Sequence, residues 1–472
     1  MSLFRHSSFI MAAAAATAVS AAGALTFARP LAAQQPTHPA PKAGQAPAGT
    51  RITFDDAIDV ALKQNISVRQ AQNNADLSDA NVRQQKMQLL PDLRMSVSGA
   101  DNVGRNFSQS DGAIVNQQTQ SLSSGLSSSL TLFDGGKTRA AISSAQSSSN
   151  ASENDLARAK QTAVFTVASD YVALMNQEEQ LRVQEENLAA QQAQENLIHT
   201  FVDAGSRPIS DLYQQQATVA SAKLAIAQSK RAVELAKVDL IQALQLDPGG
   251  TYDFVAPVIA TADTTKTYNL DDLLTRAYAN RSDLDAQKAR LAAAAQDVKS
   301  AAAAKLPTVS VTGGYSSAFS SASDIGFTDQ LNQRCGGSIG LGVSIPIFDR
   351  GSASVAEQRA ALAAQNSQLA LDDQKQTIAL EVRRAYLDQI SAKEQLAAAD
   401  AQLAAARQAV EMTEQRYQAG AATLVEVTQA RAQQVQAASA VSTARYNLVL
   451  QQTVMSYYTG ELDPAQVTLG ES

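Results

Sequence analysis

The chain has 472 residues, of which 45% are hydrophobic but only 5% aromatic, with no tryptophan and a net charge of −7. That charge leaves no basic footprint for nucleic acid. One cysteine and three scattered histidines (His6, His38 and His199) exclude an internal disulfide and a metal cluster of the usual ligand spacing. Alanine, glutamine, leucine and long charged side chains dominate extended tracts, a usage that favours long helices packed through small residues.

The first 33 residues read as a secretory signal: Arg5 is the positive start, residues 9–27 the apolar core, and small residues lead to a cut near Ala33. An uncleaved anchor is the alternative, because the apolar run nearly reaches spanning length. Residues 34–50 form a flexible leader rich in proline and alanine. A helix is expected over 54–90, with Thr53 as N-cap, Asp55 and Asp56 in the first turn, and Pro91 as the stop. Alternation in 92–103 and again in 121–133, around a polar loop at 104–120, predicts a hairpin spanning 92–133. In its second strand Leu126, Leu130 and Leu132 share one face and Ser127, Ser129 and Thr131 the other, and Asp134-Gly135-Gly136 ends it. From 137 to 202 there is no proline or glycine, which predicts a helix of ~100 Å at 1.5 Å per residue. Its Val167, Leu174, Leu181 and Leu188 recur at coiled-coil spacing. The chain turns at 203–208 and returns as a helix over 209–246, and 247–267 is a connector.

The chain then repeats itself. Phe54-Asp55-Asp56 corresponds to Leu270-Asp271-Asp272, Pro91 to Pro307, Gly136 to Gly351, Tyr171 to Tyr386 and Gly205 to Gly420. The first repeat is 51–246 and the second 268–461, with a tail at 462–472. The second carries a helix at 270–306, a hairpin at 308–348, a long helix at 352–418 with Leu396, Leu403, Val410 and Tyr417 at sevens, and a helix at 423–458. In its last strand Ile339, Leu341, Val343, Ile345 and Ile347 alternate with small or polar residues until Asp349-Arg350-Gly351. Four strands are too few to close a barrel, and an open apolar sheet is unstable in lipid, so several copies sharing one barrel is the simplest solution. The alternative is a secreted or periplasmic coiled-coil structural protein, without transport activity, whose hairpins form soluble sheet.

Two copies of strand, LFDGG or IFDRG, and long helix, with the turn sequences FVDAGSRPISDLYQQQA and RYQAGAATLVEVTQARA, resemble the TolC family of outer-membrane efflux and secretion channels over residues 51–461. The resemblance implies a mainly α fold with a small β part. In it a homotrimer builds a transmembrane β-barrel from four strands per protomer, in outer-membrane lipid, and a long-helix α-barrel through the periplasm of a Gram-negative type envelope. It further implies a passive duct docked to a periplasmic adaptor (membrane fusion) protein and an inner-membrane pump of RND, MFS or ABC type, for efflux or type I secretion. By the same resemblance Gly205 and Gly420 are adaptor-docking tip turns, and Ser210, Asp211 and Tyr417 match polar gate positions. Glu426 matches an acid that rings the constriction, and Asp134, Gly135, Gly136, Asp349 and Gly351 form the strand-to-helix junctions. Ala422 and Gln429 depart from the pattern, standing where some relatives carry an arginine and a second acid. Carboxylate pairs such as Glu178-Glu179 fall on long helices rather than in clefts, and neither a phosphate loop nor a nucleophile elbow occurs, so neither enzyme activity nor a cofactor is expected. Tyr315, Phe319, Phe327 and Phe107 would form a sparse aromatic belt at the outer membrane edge.

Overall fold

A computed structural model describes residues 50–108, 112–255 and 267–463. The expected signal, the leader up to residue 49, most of the connector and most of the tail, with His6 and His38, lie outside the described residues. Among those residues no helix is long and apolar enough to cross a membrane.

The two longest helices, α3 (Lys137–Asp203) and α8 (Ser352–Gln418), have 67 residues each and so extend ~100 Å. The first repeat adds α1 (Phe54–Gln64), α2 (Ile66–Met87) and α4 (Ile209–Leu244). The second adds α5 (Leu270–Asn280), α6 (Ser282–Ala302) and α9 (Leu424–Thr459). α2 and α4 pack along α3, α6 and α9 pack along α8, and α3 also touches α6 and α9, which welds the repeats together. Alanine permits this closeness: Leu396 and Leu403 of α8 interlock with Ala437, Val441 and Leu448 of α9 in one core cluster.

The helices expected at 54–90 and 270–306 are each broken, and polar side chains cause both breaks. Asn65 leaves the helical conformation (φ −57°, ψ 127°) and its carboxamide oxygen accepts from Ser67 N at 2.9 Å, starting α2 anew. Arg281, only 3% exposed, bonds to Asp283 and Glu381 and breaks the helix between α5 and α6. Arg158 joins this clamp, lying over the Tyr457 ring at 3.9 Å and donating to the Tyr457 carbonyl at 3.1 Å. Burial pushes the Asp283 carboxyl up, but the hydrogen bond and charge of Arg281 outweigh it and hold the group below the usual carboxylate range.

The strands are β1 (Thr50–Ile52), β2 (Arg94–Ser108), β3 (Ala113–Phe133), β4 (Tyr252–Phe254), β5 (Thr308–Ser320) and β6 (Gly336–Ser344). β1 and β4 form a short parallel pair that lies over the core around Tyr171, whose hydroxyl donates to the Ile52 carbonyl at 3.1 Å. The other four form an antiparallel sheet in the order β2-β3-β5-β6. Most of the polar stretch 104–120, expected as loop, is strand, because paired neighbours outweigh weak β-propensity. The connection within the hairpin expected at 308–348 holds a short helix, α7 (Phe327–Gln333), and β6 stops at Ser344 rather than running to Ile347.

Cross-strand partners share a face. The rows Met95–Leu126–Tyr315 and Leu130–Val311–Leu341 make one apolar face. The rows Ser98–Ser123–Ala318 and Ser129–Thr312–Gly340 make the other, small and polar. The apolar face is uncovered: Ile339 is 89% exposed, and Met95, Val97, Leu341 and Val343 are exposed too.

At both strand-to-helix junctions an aspartate caps the turn. Asp134 accepts from Gly136 N at 3.0 Å and Thr138 N at 2.7 Å, and Asp349 from Gly351 N at 2.9 Å and Ala353 N at 2.6 Å. The middle residue is left-handed in both, Gly135 at φ +71° and Arg350 at φ +59°. Only the first is crowded, since a Cβ there would meet Leu306 Cβ at 2.7 Å and Ala303 O at 3.0 Å.

Two predictions follow from these contacts. Gly135→Ala should lower the thermal midpoint, with a loss of at least ~1–2 kcal/mol from the left-handed backbone alone, whereas Arg350→Gly should not. Arg281→Met strands two acids and should cost ~3–5 kcal/mol. Because the folded Asp283 carboxyl sits below its unfolded value, its contribution is present above the ordinary carboxylate range and lost as pH falls through the lowered one. Melting curves against pH should therefore show acid loss in the parent that is blunted in Arg281→Met.

Candidate functional site: the helix tips

The far ends of α3 and α8 turn back into α4 and α9 through two matching Schellman turns. Ser206 N donates to Phe201 O at 2.9 Å and Gly205 N to Val202 O at 2.9 Å. Ala421 N donates to Arg416 O at 2.7 Å and Gly420 N to Tyr417 O at 3.0 Å. Gly205 and Gly420 have φ of +66° and +77°, and a Cβ at either would meet nothing within 4 Å. Backbone conformation, not crowding, therefore selects glycine at both tips.

The two returning helices start differently. α9 has a full capping box: Glu426 N donates to Thr423 Oγ1 at 3.3 Å, and Thr423 N donates to Glu426 Oε1 at 3.2 Å. Arg416 lies 3.7 Å from the same carboxylate. The Thr423 backbone and side-chain bonds, with Arg416 adding its charge, hold Glu426 below the usual carboxylate range, so it stays ionised. α4 starts at Pro208 with no side-chain cap; Ser210 is exposed, and its third residue, Asp211, is half-buried. Asp211 and Glu426 are repeat equivalents, both acids at the positive end of a helix.

Between the tips lies a small core of Ile198, Tyr417, Ala422, Leu424 and Val427, with Phe201, Val202 and Leu212 packed against it. Tyr417, matched by resemblance to a polar gate position, is 1% exposed at its centre, and its hydroxyl has no hydrogen-bond partner among the described residues. Burial pushes its phenol up; Arg207 opposes that and Asp211 adds to it, so Asp211 is near in charge while making no bond to the hydroxyl. The ligand of Tyr417 is instead Arg207, which donates to the Tyr417 carbonyl at 2.8 Å and lies 4.4 Å over its ring. A second arginine works higher up the same seam: Arg431 of α9 donates to Glu414 and to the Ala190 carbonyl of α3, both at 2.7 Å.

Sequence reading missed Arg207, although a signal existed. The arginine absent at Ala422 stands at the repeat-equivalent position 207, one turn sequence earlier. Gly205 and Gly420 face outward at the tip ends, while Ser210, Asp211 and Glu426 line the helix starts beside them. His199 is solvent-facing, 2.8 Å from Asp203. Among the described residues no group of acids, histidines or cysteines is placed to hold a metal ion.

The outer membrane efflux protein family matches residues 57–245 and 273–461, once in each repeat. The chain is 29% identical over 371 residues to the pyoverdine export outer membrane protein OpmQ of Pseudomonas aeruginosa, covering 76% of this chain and 73% of that one. It is 23% identical over 417 residues to the outer membrane efflux protein BepC of Brucella suis, covering 88% and 87%. Among solved structures it is similar to CusC, with a TM-score of 0.75 at 21% identity over 86% of this chain and 92% of that one. It is also similar to the Campylobacter jejuni CmeC outer membrane channel, at 0.73 and 20% over 88% and 87%.

The tip geometry gives a direct test. Tyr417→Phe removes only an unsatisfied hydroxyl and should be neutral or stabilising by ~1 kcal/mol. Arg207→Ala should speed hydrogen exchange at 417–427 while leaving α5 and α6 unchanged.

Proposed function

Because the chain belongs to the outer membrane efflux protein family, it is an outer-membrane channel component of efflux systems, and we propose that three copies form a passive duct docked to a periplasmic adaptor and an inner-membrane pump. The observation that carries this reading is the four-stranded sheet with an uncovered apolar face and two bare edges. Twelve strands from three copies close such a sheet, put the apolar face in lipid and turn the serine, threonine and glycine face toward a wet lumen. A soluble rod would leave that apolar face without a partner. The lumen face offers no selective chemistry, so cargo is chosen, and energy supplied, by the pump.

The helices support the same assembly. α3 packs between α2 and α6, whereas α8 packs on α6 and leaves Val355, Leu362, Leu369, Leu380 and Leu387 exposed along its length. The α2 of a second copy occupies, by repeat symmetry, the place beside α8 that α6 takes beside α3.

The tips then form the gate, and the seams around it are unequal. Within one copy the hairpin of α3 and α4 is stitched to that of α8 and α9 by Arg207 on Tyr417 and by Arg431 on Ala190. Of the repeat equivalents, Ala422 and Val202 lie in the tip core of one copy and carry no cation, while Gln216 and Ala405 are exposed, meet between copies in the trimer and carry none either. The gate therefore opens between copies, with the two hairpins of each copy moving together. Gly205 and Gly420, at the outermost turns, present the adaptor-docking surface, and Asp211 and Glu426 repeated by symmetry give the entrance a cation-concentrating field.

Deletion of the gene, in a host without a redundant channel, should cause drug hypersensitivity or loss of an exported product, restored by the intact gene; unchanged export would contradict the duct. For the gate, the pair Gln216→Cys with Ala405→Cys, both exposed in one copy, in a Cys335→Ser background should cross-link between copies on oxidation. It should suppress conductance in planar bilayers until reduced. Full conductance in the cross-linked channel would place the moving seam elsewhere.

A further inference from the structure

We propose that β6 of one copy joins β2 of the next in a single fixed register, with Gly342 opposite the partner's Ser98 and Ile345–Phe348 completing their strand only on that partner. The proposal rests on the trimeric reading above and specifies the seam that reading requires.

Hydrogen-bond directions set the parity. Asp92 N donates to Ser129 O at 3.1 Å, so the odd residues of β3 aim their backbone groups at β2, where Arg94, Ser96 and Ser98 answer them. The odd residues of β2, Met95, Val97 and Gly99, therefore aim at the open edge. Ser321 N donates to Gln120 O at 2.8 Å, so odd residues of β5 face β3 and even ones face β6. Beyond the end of β6 the Gln330 carboxamide stands in for a strand, accepting from Ser320 N at 2.9 Å and donating to Ser320 O at 3.1 Å. Gly340, Gly342 and Ser344 thus face β5, and Ile339, Leu341 and Val343 aim at the other open edge. Antiparallel strands exchange bonds only between residues that both point into the seam. Odd must stand opposite odd, which also keeps the apolar faces of both strands on one side.

Repeat symmetry picks one register from that set. Moving β2 onto β5 by 216 residues and β3 onto β6 by 215 turns the pair Arg94–Ser127 into Ser310–Gly342, and both pairs are present. The same operation applied to the β3–β5 seam, with Leu126–Tyr315, Ser127–Gly314 and Ser129–Thr312, gives the seam between copies. It places Leu341 opposite the partner's Gly99, Gly342 opposite the partner's Ser98, and Ser344 opposite the partner's Ser96. The irregularity between Thr131 and Phe133 maps onto Pro346 and Phe348.

Two otherwise odd features follow. Ile347 and Phe348 are 95% and 86% exposed because their strand partner belongs to another copy. Pro346 is tolerated because an even residue there aims its missing N–H toward β5, whose ladder has already ended at Thr308.

The test uses four single cysteines combined in pairs in a Cys335→Ser background: Ser96→Cys, Ser98→Cys, Gly342→Cys and Ser344→Cys. A Cβ at Gly342 meets Ser310 Oγ at an ordinary 3.5 Å, so the substitution fits. In-register pairs 98 with 342 and 96 with 344 are non-hydrogen-bonded partners at about 4.5 Å between Cα atoms, within disulfide reach. The diagonal pairs 98 with 344 and 96 with 342 lie ~7–8 Å apart. Oxidation should give reducible dimer and trimer bands on heated gels for the in-register pairs and little for the diagonals. Diagonal cross-linking that equals or exceeds the in-register yield, or none at all in proteins that still run as trimers on unheated gels, overturns the register alone. Absence of any trimer in the Cys335→Ser parent overturns the trimeric reading and the register with it.

Discussion

A backbone amide in hydrocarbon must find a partner, and β2 and β6 each carry a row of amides that one copy cannot satisfy. Most of the chain can be understood from that constraint. The sheet cannot end in lipid, so it must continue into another copy. Continuation closes a ring only if each copy presents the same two edges, and the internal repeat makes those edges near-copies of the β3–β5 seam inside one chain. The alternation of Leu, Val and Tyr against Ser, Thr and Gly then sorts lipid from lumen without further instruction.

The helices carry the same ring away from the membrane. Their length comes from proline- and glycine-free tracts of 67 residues, and their close packing from alanine. Where the repeats differ, function enters. Arg207 and Arg431 fasten one copy's two hairpins at the tip and above it, whereas their repeat equivalents, Ala422 and Gln216, carry no charge to do the same. The Arg281 clamp, with Asp283, Glu381 and Arg158, similarly fixes the second repeat against α3 at a level where the first uses only Asn65. In the proposed trimer, these unequal fasteners put the moving seam between copies.

The family, the mainly helical class with four strands and the repeat were legible because periodicity and turn residues express them locally: LFDGG and IFDRG, the tip glycines, and apolar sevens. Features set by distant partners were not. The breaks at Asn65 and Arg281 come from side chains that override good helical composition, and Arg281 only because Asp283 and Glu381 await it. Residues 113–120 read as polar loop because nothing in them shows that β2 lies alongside. Tyr417 matched a polar gate position, yet its ring sits in a core made by both tips, and Arg207 looked like a turn residue until its partner across the repeat was placed. Glu426 matched a ring acid and is at the same time the reciprocal half of a helix cap.

The central claim is that one chain is an incomplete barrel and three make a whole one. Native mass spectrometry of protein extracted from membranes in mild detergent tests it most directly. The account predicts a single species of three chains, released only by detergent and dissociating to monomers that lose their sheet. A monomer that stays folded and soluble without detergent, or a stable assembly of any other number, would contradict it.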